Sequence, residues 1–189
     1  MRIFVVVLFA CYLFPTQQGW SQSGSSESHE ERTREILASF NKTKHEAREK
    51  FGVRKEKYKQ IHSEAVVRPA LLDYVGVYKV PDWGYTIQIA RIDGDVTVIG
   101  SEPQDGSHAQ RRFRLADVSL SGALLAGTKV YEDGEKATFE GVFINMTDTE
   151  GVSPNEVSHR ATTFGLGVVG GRVNTSGVER DKLFYQFEQ

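Results

Sequence analysis

Cysteine is nearly missing from this chain. Cys11 is the only one in 189 residues, and it lies in an apolar N-terminal stretch. The remainder has no disulfide staples, so its core alone must hold the fold. Charge of one sign is just as scarce. The 23 Lys and Arg against 25 Asp and Glu leave a formal net charge of −2, or −3 once residues 1–21 with their lone Arg2 are set aside. Such a chain has no global field to draw in nucleic acid or anionic lipid, which argues against nucleic acid as a partner. Long apolar runs are absent too: Ile3–Phe14 spans 12 residues, too few to cross a bilayer as a helix. His29, His45, His62, His108 and His159 stand at least 16 residues apart, so no local metal clip exists and ligands would have to converge from distant strands. No G-x-S-x-G nucleophile motif occurs.

What is present begins with a leader. Arg2 and the α-amine precede the Ile3–Phe14 run, and Gly19 and Ser21 are small residues at the −3 and −1 positions of a cut before Gln22. This predicts a signal peptide over residues 1–21 and a secreted or periplasmic mature chain without a transmembrane segment. Leu8-Phe9-Ala10-Cys11 offers a rival lipoprotein reading, disfavoured by Phe9 and by the apolar Tyr12-Leu13-Phe14 beyond the cysteine. Asn41, Asn145 and Asn174 head Asn-X-Ser/Thr sequons and would be solvent-facing glycan acceptors in a eukaryote.

Residues 22–68 read as a polar leader followed by a charged helical segment. Residues 22–29 are rich in Ser and polar side chains, and Ser28 with Glu31 has capping-box spacing. From 29 to 64, Leu37, Phe40, Ala47, Phe51, Tyr58, Ile61 and Ala65 mark a thin apolar stripe near heptad spacing, broken by Lys44, Gly52 and Arg54. This predicts a solvated helix or helix pair lying on a β-domain, with a two-chain coiled coil and a disordered charged spacer as alternatives. Pro69 holds Arg68 extended and ends the segment.

Residues 69–189 read as one antiparallel β-domain. Tyr85, Ile87, Ile89 and Arg91 alternate with Thr86, Gln88 and Ala90, Asp93-Gly94 fits a type I′ hairpin, and Val96 and Val98 carry the chain back. Further strands are expected near 109–115, 117–122, 124–131, 136–145, 160–169 and 182–188, punctuated by Asp105-Gly106 and Asp133-Gly134, with 147–158 as a long polar loop. The expected fold is mainly β: a single barrel or sandwich of about 8–9 strands.

Two motifs fail on context. Gly165-Leu166-Gly167-Val168-Val169-Gly170 matches G-x-G-x-x-G, but no helix pattern follows it to hold a pyrophosphate, so it reads as a glycine-bearing strand packed closely on another element. Ser39-Phe40-Asn41-Lys42 matches S-x-x-K without the Lys-Thr-Gly strand that chemistry needs. No cofactor, metal ligand or catalytic residue is therefore assigned. The aromatics are more suggestive. Trp83 and Tyr85 flank Gly84, with Tyr74 and Tyr78 on the preceding strand; such a cluster either lines a barrel mouth or plugs the core.

Leu72-Asp73-Tyr74-Val75-Gly76-Val77-Tyr78, with the Tyr85–Arg91 strand and Asp93-Gly94, resembles lipocalin-like modules. It is similar to the Gly-x-aromatic opening strand of lipocalins and to the small β-modules trailing secreted bacterial serine hydrolases. The resemblance covers residues 72–100, and Tyr78 stands where lipocalins usually carry Trp. It implies a barrel that binds an apolar small molecule or serves as an accessory module.

Three functional readings follow. The first is an exported, non-enzymatic β-domain binding a small apolar ligand or an envelope partner, with Tyr78, Trp83, Tyr85, Arg91 and His159 as candidate binding residues. The second is an interaction protein associating through the 29–64 segment. The third, least favoured, is a hydrolase built from His159, a nearby carboxylate and a loop serine.

Overall fold

The computed structural model describes residues 23–50, 53–104, 109–151, 157–169 and 182–188, with backbone alone for 23–26, 45–50, 53–56 and 157–160. Eight strands form the body: β3 (Gly76–Lys79), β4 (Thr86–Ile92), β5 (Asp95–Pro103), β6 (Gln110–Ser121), β7 (Leu124–Tyr131), β8 (Lys136–Gly151), β9 (Val157–Val169) and β10 (Lys182–Glu188). Each pairs antiparallel with the next, and β10 returns to β3 with Phe187 opposite Tyr78, so the meander closes into a barrel. Closure removes the edges that an open sheet would present.

The turns match their residues. Asp93 (φ 52°) and Gly94 (φ 95°) both take positive φ between β4 and β5, as a type I′ turn requires. The two strands expected at 109–115 and 117–122 are one, β6, interrupted by a bulge: pairing with β7 shifts register between Ala116 and Ser119, and Asp117 has φ 52°.

Alternation then decides which side chains go inside. Ile87, Ile89, Val98, Phe113, Leu115, Leu125, Tyr131, Phe139, Phe143, Leu166 and Tyr185 form one buried cluster along the axis. An eight-stranded barrel has an interior about wide enough for side chains to fill. One end is plugged by a 3-10 turn, Leu71–Tyr74, whose Tyr74 ring stacks on Phe143 at 3.7 Å. The Tyr74 hydroxyl donates to the Val66 carbonyl (2.7 Å) and accepts from the Arg68 amide (2.7 Å), and Tyr78 donates to the Tyr74 carbonyl (2.6 Å). Both tyrosine hydroxyls at that plug thus have a partner.

The charged N-terminal region differs from expectation. A helix is present, α1 (Ser23–Phe40), but it starts before Ser28 and ends by Phe40, so Ser28 lies inside it and not at its N-cap. Residues expected to continue the helix form a hairpin instead: β1 (Lys42–Lys50) and β2 (Val53–Ala65). The cause is tertiary. β8 runs past the barrel to Gly151, and its Ile144–Gly151 half has no β7 partner; β2 fills that place, with Ala65 opposite Ile144 and Tyr58 opposite Gly151. Ladder pairing overrides the local preference of a Lys/Glu-rich segment for helix. Likewise most of the expected loop at 147–158 is strand: β8 and β9 stay paired to Gly151 and Val157, making with β1 and β2 a four-stranded extension.

Helix α1 lies on the outer wall. Ile36 and Phe40 bury against Ala123, Leu124, Val142 and Ile144, the outward neighbours of core residues. Arg32 bonds Glu140 (2.7 Å) and Glu35 (2.9 Å), carboxylates that hold its guanidinium pKa above the ordinary value. Asn41 ends the helix by accepting from the Ser63 amide at 2.8 Å. The apolar stripe of α1 is thus occupied by its own barrel. Among the described residues, no helix is long and apolar enough to cross a membrane.

Gly165 and Gly167 of the G-x-G-x-x-G match sit on β9, where bare backbone admits other elements, and Gly170 lies outside the described residues. A Cβ on Gly167 would come within 2.8 Å of the Phe40 ring and 2.9 Å of Ile144 Cδ1. Gly167→Ala should therefore lower stability by about 1–3 kcal/mol, with faster amide exchange across α1 than across β4–β7. Urea denaturation with hydrogen exchange checks this; an unchanged midpoint would show that Phe40 is not seated as described.

Candidate functional site

The five residues singled out from sequence are not brought together. Tyr78 is fully buried, its ring against Phe143, Phe164 and Phe187. Tyr85 is buried edge-on to Tyr185 at 6.5 Å. Trp83, on the β3–β4 turn, is 61% exposed. Arg91 is exposed at the opposite end of β4, its Nε donating to the Gly94 carbonyl (3.1 Å). His159 pairs with Glu150 in the β8–β9 extension, and its side chain lies outside the described residues. The tyrosines therefore plug the core while Trp83 turns away from them: no aromatic mouth forms. Of the sequons, Asn41 is exposed, Asn145 is half-buried on β8, and Asn174 lies outside the described residues.

Two other constellations do form. The first is inside the barrel wall at the end carrying the β7–β8 turn. Glu102 shares its inward face with Val98 and accepts from Lys129 Nζ (2.8 Å) and from the Tyr131 hydroxyl (2.6 Å). Lys129 Nζ lies 4.6 Å from the Phe113 ring centre, and the Arg111 guanidinium sits 3.7 Å over Tyr131 while bonding Asp133 and Glu135 (2.6 Å each). Lys129 and Glu102 retain only 14% and 18% of their side-chain exposure, so this is a largely desolvated pair whose charges need each other. Lys129→Met should cost about 3 kcal/mol by stranding Glu102, whereas Glu102→Gln with Lys129→Met should cost less than the two singles summed. Additive losses in chemical denaturation would mean that the pair is not coupled.

The phenols beside it are shifted. Burial pushes the Tyr185 pKa well up, helped by the Glu102 carboxylate and by Tyr131. Burial does the same to Tyr78, opposed by Arg68 and aided by Tyr74, and raises Tyr74 itself against the opposing Arg68. A phenol whose folded pKa exceeds the unfolded value near 10 gives stability that is full below that value and lost as pH rises through the folded one. Tyr78 and Tyr185 should thus ionise only as the barrel unfolds above about pH 10. Ultraviolet difference titration against circular dichroism checks this; smooth phenolate formation by both in folded protein would refute their burial.

The second constellation is on the outside. Across β4 to β7, the side chains alternating with the core face an open groove of about 490 Å³. One row across it runs Thr86, Ser101, Arg112, and the next runs Gln88, Ile99, Arg114, Val130, as the strand registers set. Glu132 stands at the rim, its amide reaching the Arg112 carbonyl (3.4 Å), and Gly100 lies on the floor. Thr86 and Ser101 bond each other through their hydroxyls (2.7 Å). No histidine or cysteine lines the groove. Its lining offers apolar contact from Ile99 and Val130 and donors from the amide and guanidinium groups.

Sequence reasoning located β6 but passed over these arginines. The available signal was the run Gln110-Arg111-Arg112-Phe113-Arg114-Leu115, where Arg112 and Arg114 alternate with core residues and so share the outer face. Glu102 and Lys129 had no comparable signal, since inward charges look like errors until their partner is known. Among the described residues, no three or more His, Cys, Asp or Glu side chains are placed to hold a metal ion. Comparison with protein-family models, curated proteins and solved structures finds no match.

Proposed function

We propose that this chain is an exported, non-enzymatic β-barrel module that binds a small apolar ligand on its outer wall rather than in its lumen. The observation that carries this reading is the groove of about 490 Å³ over β4–β7, within the few-hundred Å³ range of small-molecule sites. The axial positions where a lipocalin-like barrel would hold its ligand carry Phe113, Leu125, Phe143, Leu166 and Tyr185. The lipocalin-like resemblance of residues 72–100 supports the module class, and the leader over residues 1–21 supports export. Helix α1, with Ile36 and Phe40 against the barrel, favours this reading over association through that helix.

The neutral apolar dye N-phenyl-1-naphthylamine should bind the mature chain at a single site, with amide shifts on β4–β7, and Ile99→Asp should weaken it about tenfold by putting a charge on the apolar floor. Shifts centred on Val98, Leu125 and Phe143 would place the dye in the lumen and overturn the proposal.

A further inference from the structure

The groove is not a neutral slot. Arg112 and Arg114 are exposed on the same face of β6, two residues apart, and neither has an ion-pair partner among the described residues. Two other cations of the barrel wall are matched, Lys79 with Glu188 at 2.7 Å and the largely buried Arg111 with Asp133 and Glu135, while exposed Arg91 reaches only a backbone carbonyl outside the groove. Against the two arginines the lining holds one carboxylate, Glu132, at the rim beside Arg112. Arg114 has none next to it. Its cross-strand neighbours are Ile99 and Val130, two apolar side chains.

We infer that the ligand is an amphiphile with a single anionic head, a carboxylate, sulfonate or sulfate, held between Arg114 and Arg112 while its apolar body lies on Ile99 and Val130. This deepens the reading above and rests on it. Charge complementarity sets the occupant: an excess of one positive charge in a groove whose other side chains are apolar or neutral matches one anion. A guanidinium offers two parallel N–H donors to a two-oxygen acceptor. Gln88, beside Ile99, adds a neutral donor at the opposite side of the same row. The apolar side chains flanking Arg114 lower the local dielectric, so an anion there is screened less than at an open surface.

The test uses a matched pair of dyes on the whole mature chain: 8-anilinonaphthalene-1-sulfonate and N-phenyl-1-naphthylamine, which share a ring system and differ in the sulfonate. The sulfonate dye should bind at least about tenfold more tightly, weaken with added salt, and perturb β4–β7 amides. Arg114→Gln and Arg112→Gln, both at exposed positions, should each remove most of that advantage and change the affinity for the neutral dye by less than about threefold. Equal affinity for the two dyes, or an advantage surviving both substitutions, would overturn the anionic head while leaving the groove reading intact. Failure of both dyes to perturb β4–β7 would remove the groove itself.

Discussion

Phe143 is the residue on which the two parts of this molecule turn. Its ring stacks on Tyr74 and contacts Tyr78 and Phe164, so it seals the plugged end of the barrel. Its backbone marks the point where β8 changes partner: the amide donates to Ala123 at the head of β7 (3.0 Å), while the carbonyl accepts from Val66 at the end of β2 (2.8 Å). Its neighbours Val142 and Ile144 point outward beneath Ile36 and Phe40 of α1. Core, extension and helix therefore meet on three consecutive residues, because a strand presents alternate side chains to opposite faces and its amide groups to both flanks.

That arrangement explains why recognition is read on the wall. With aromatic side chains along the axis and a 3-10 turn over one end, the lumen is committed to stability. The largely desolvated Glu102 carboxylate in the wall is answered by Lys129 and the Tyr131 hydroxyl, which is how it is tolerated there. Outward positions carry no such duty. On α1's side of the barrel they are covered by the helix; on the β4–β7 side they are open, and there the apolar floor and the two unpaired arginines coincide.

Much of the barrel was legible because its signals are local. Tyr85–Arg91 alternates, Asp93-Gly94 can take only a few turn geometries, and Leu183–Phe187 alternates again, so strands and their turns follow from short windows. The glycines at 165 and 167 were also readable as close-packing positions. What misled was the 42–65 segment, where Lys, Glu and Ala favour helix and a sparse stripe imitated heptads. The aromatic cluster misled differently. Tyr78, Tyr85 and Trp83 are near in sequence, but period-2 geometry buries the first two and the turn sends the third outward.

The sequence by itself determined that this is an antiparallel β-structure, barrel or sandwich, without disulfides, since alternation and turn chemistry act over a few residues. It also determined which side chains share a face. Only the tertiary structure decided that β10 returns to β3, that the unpartnered half of β8 recruits β2 and so converts a helix-prone segment to strand, and that Arg112 and Arg114 lie over an apolar floor. The physical reason is the same in each case. Those outcomes depend on contacts between residues tens of positions apart, and their free energy exists only once the barrel has closed.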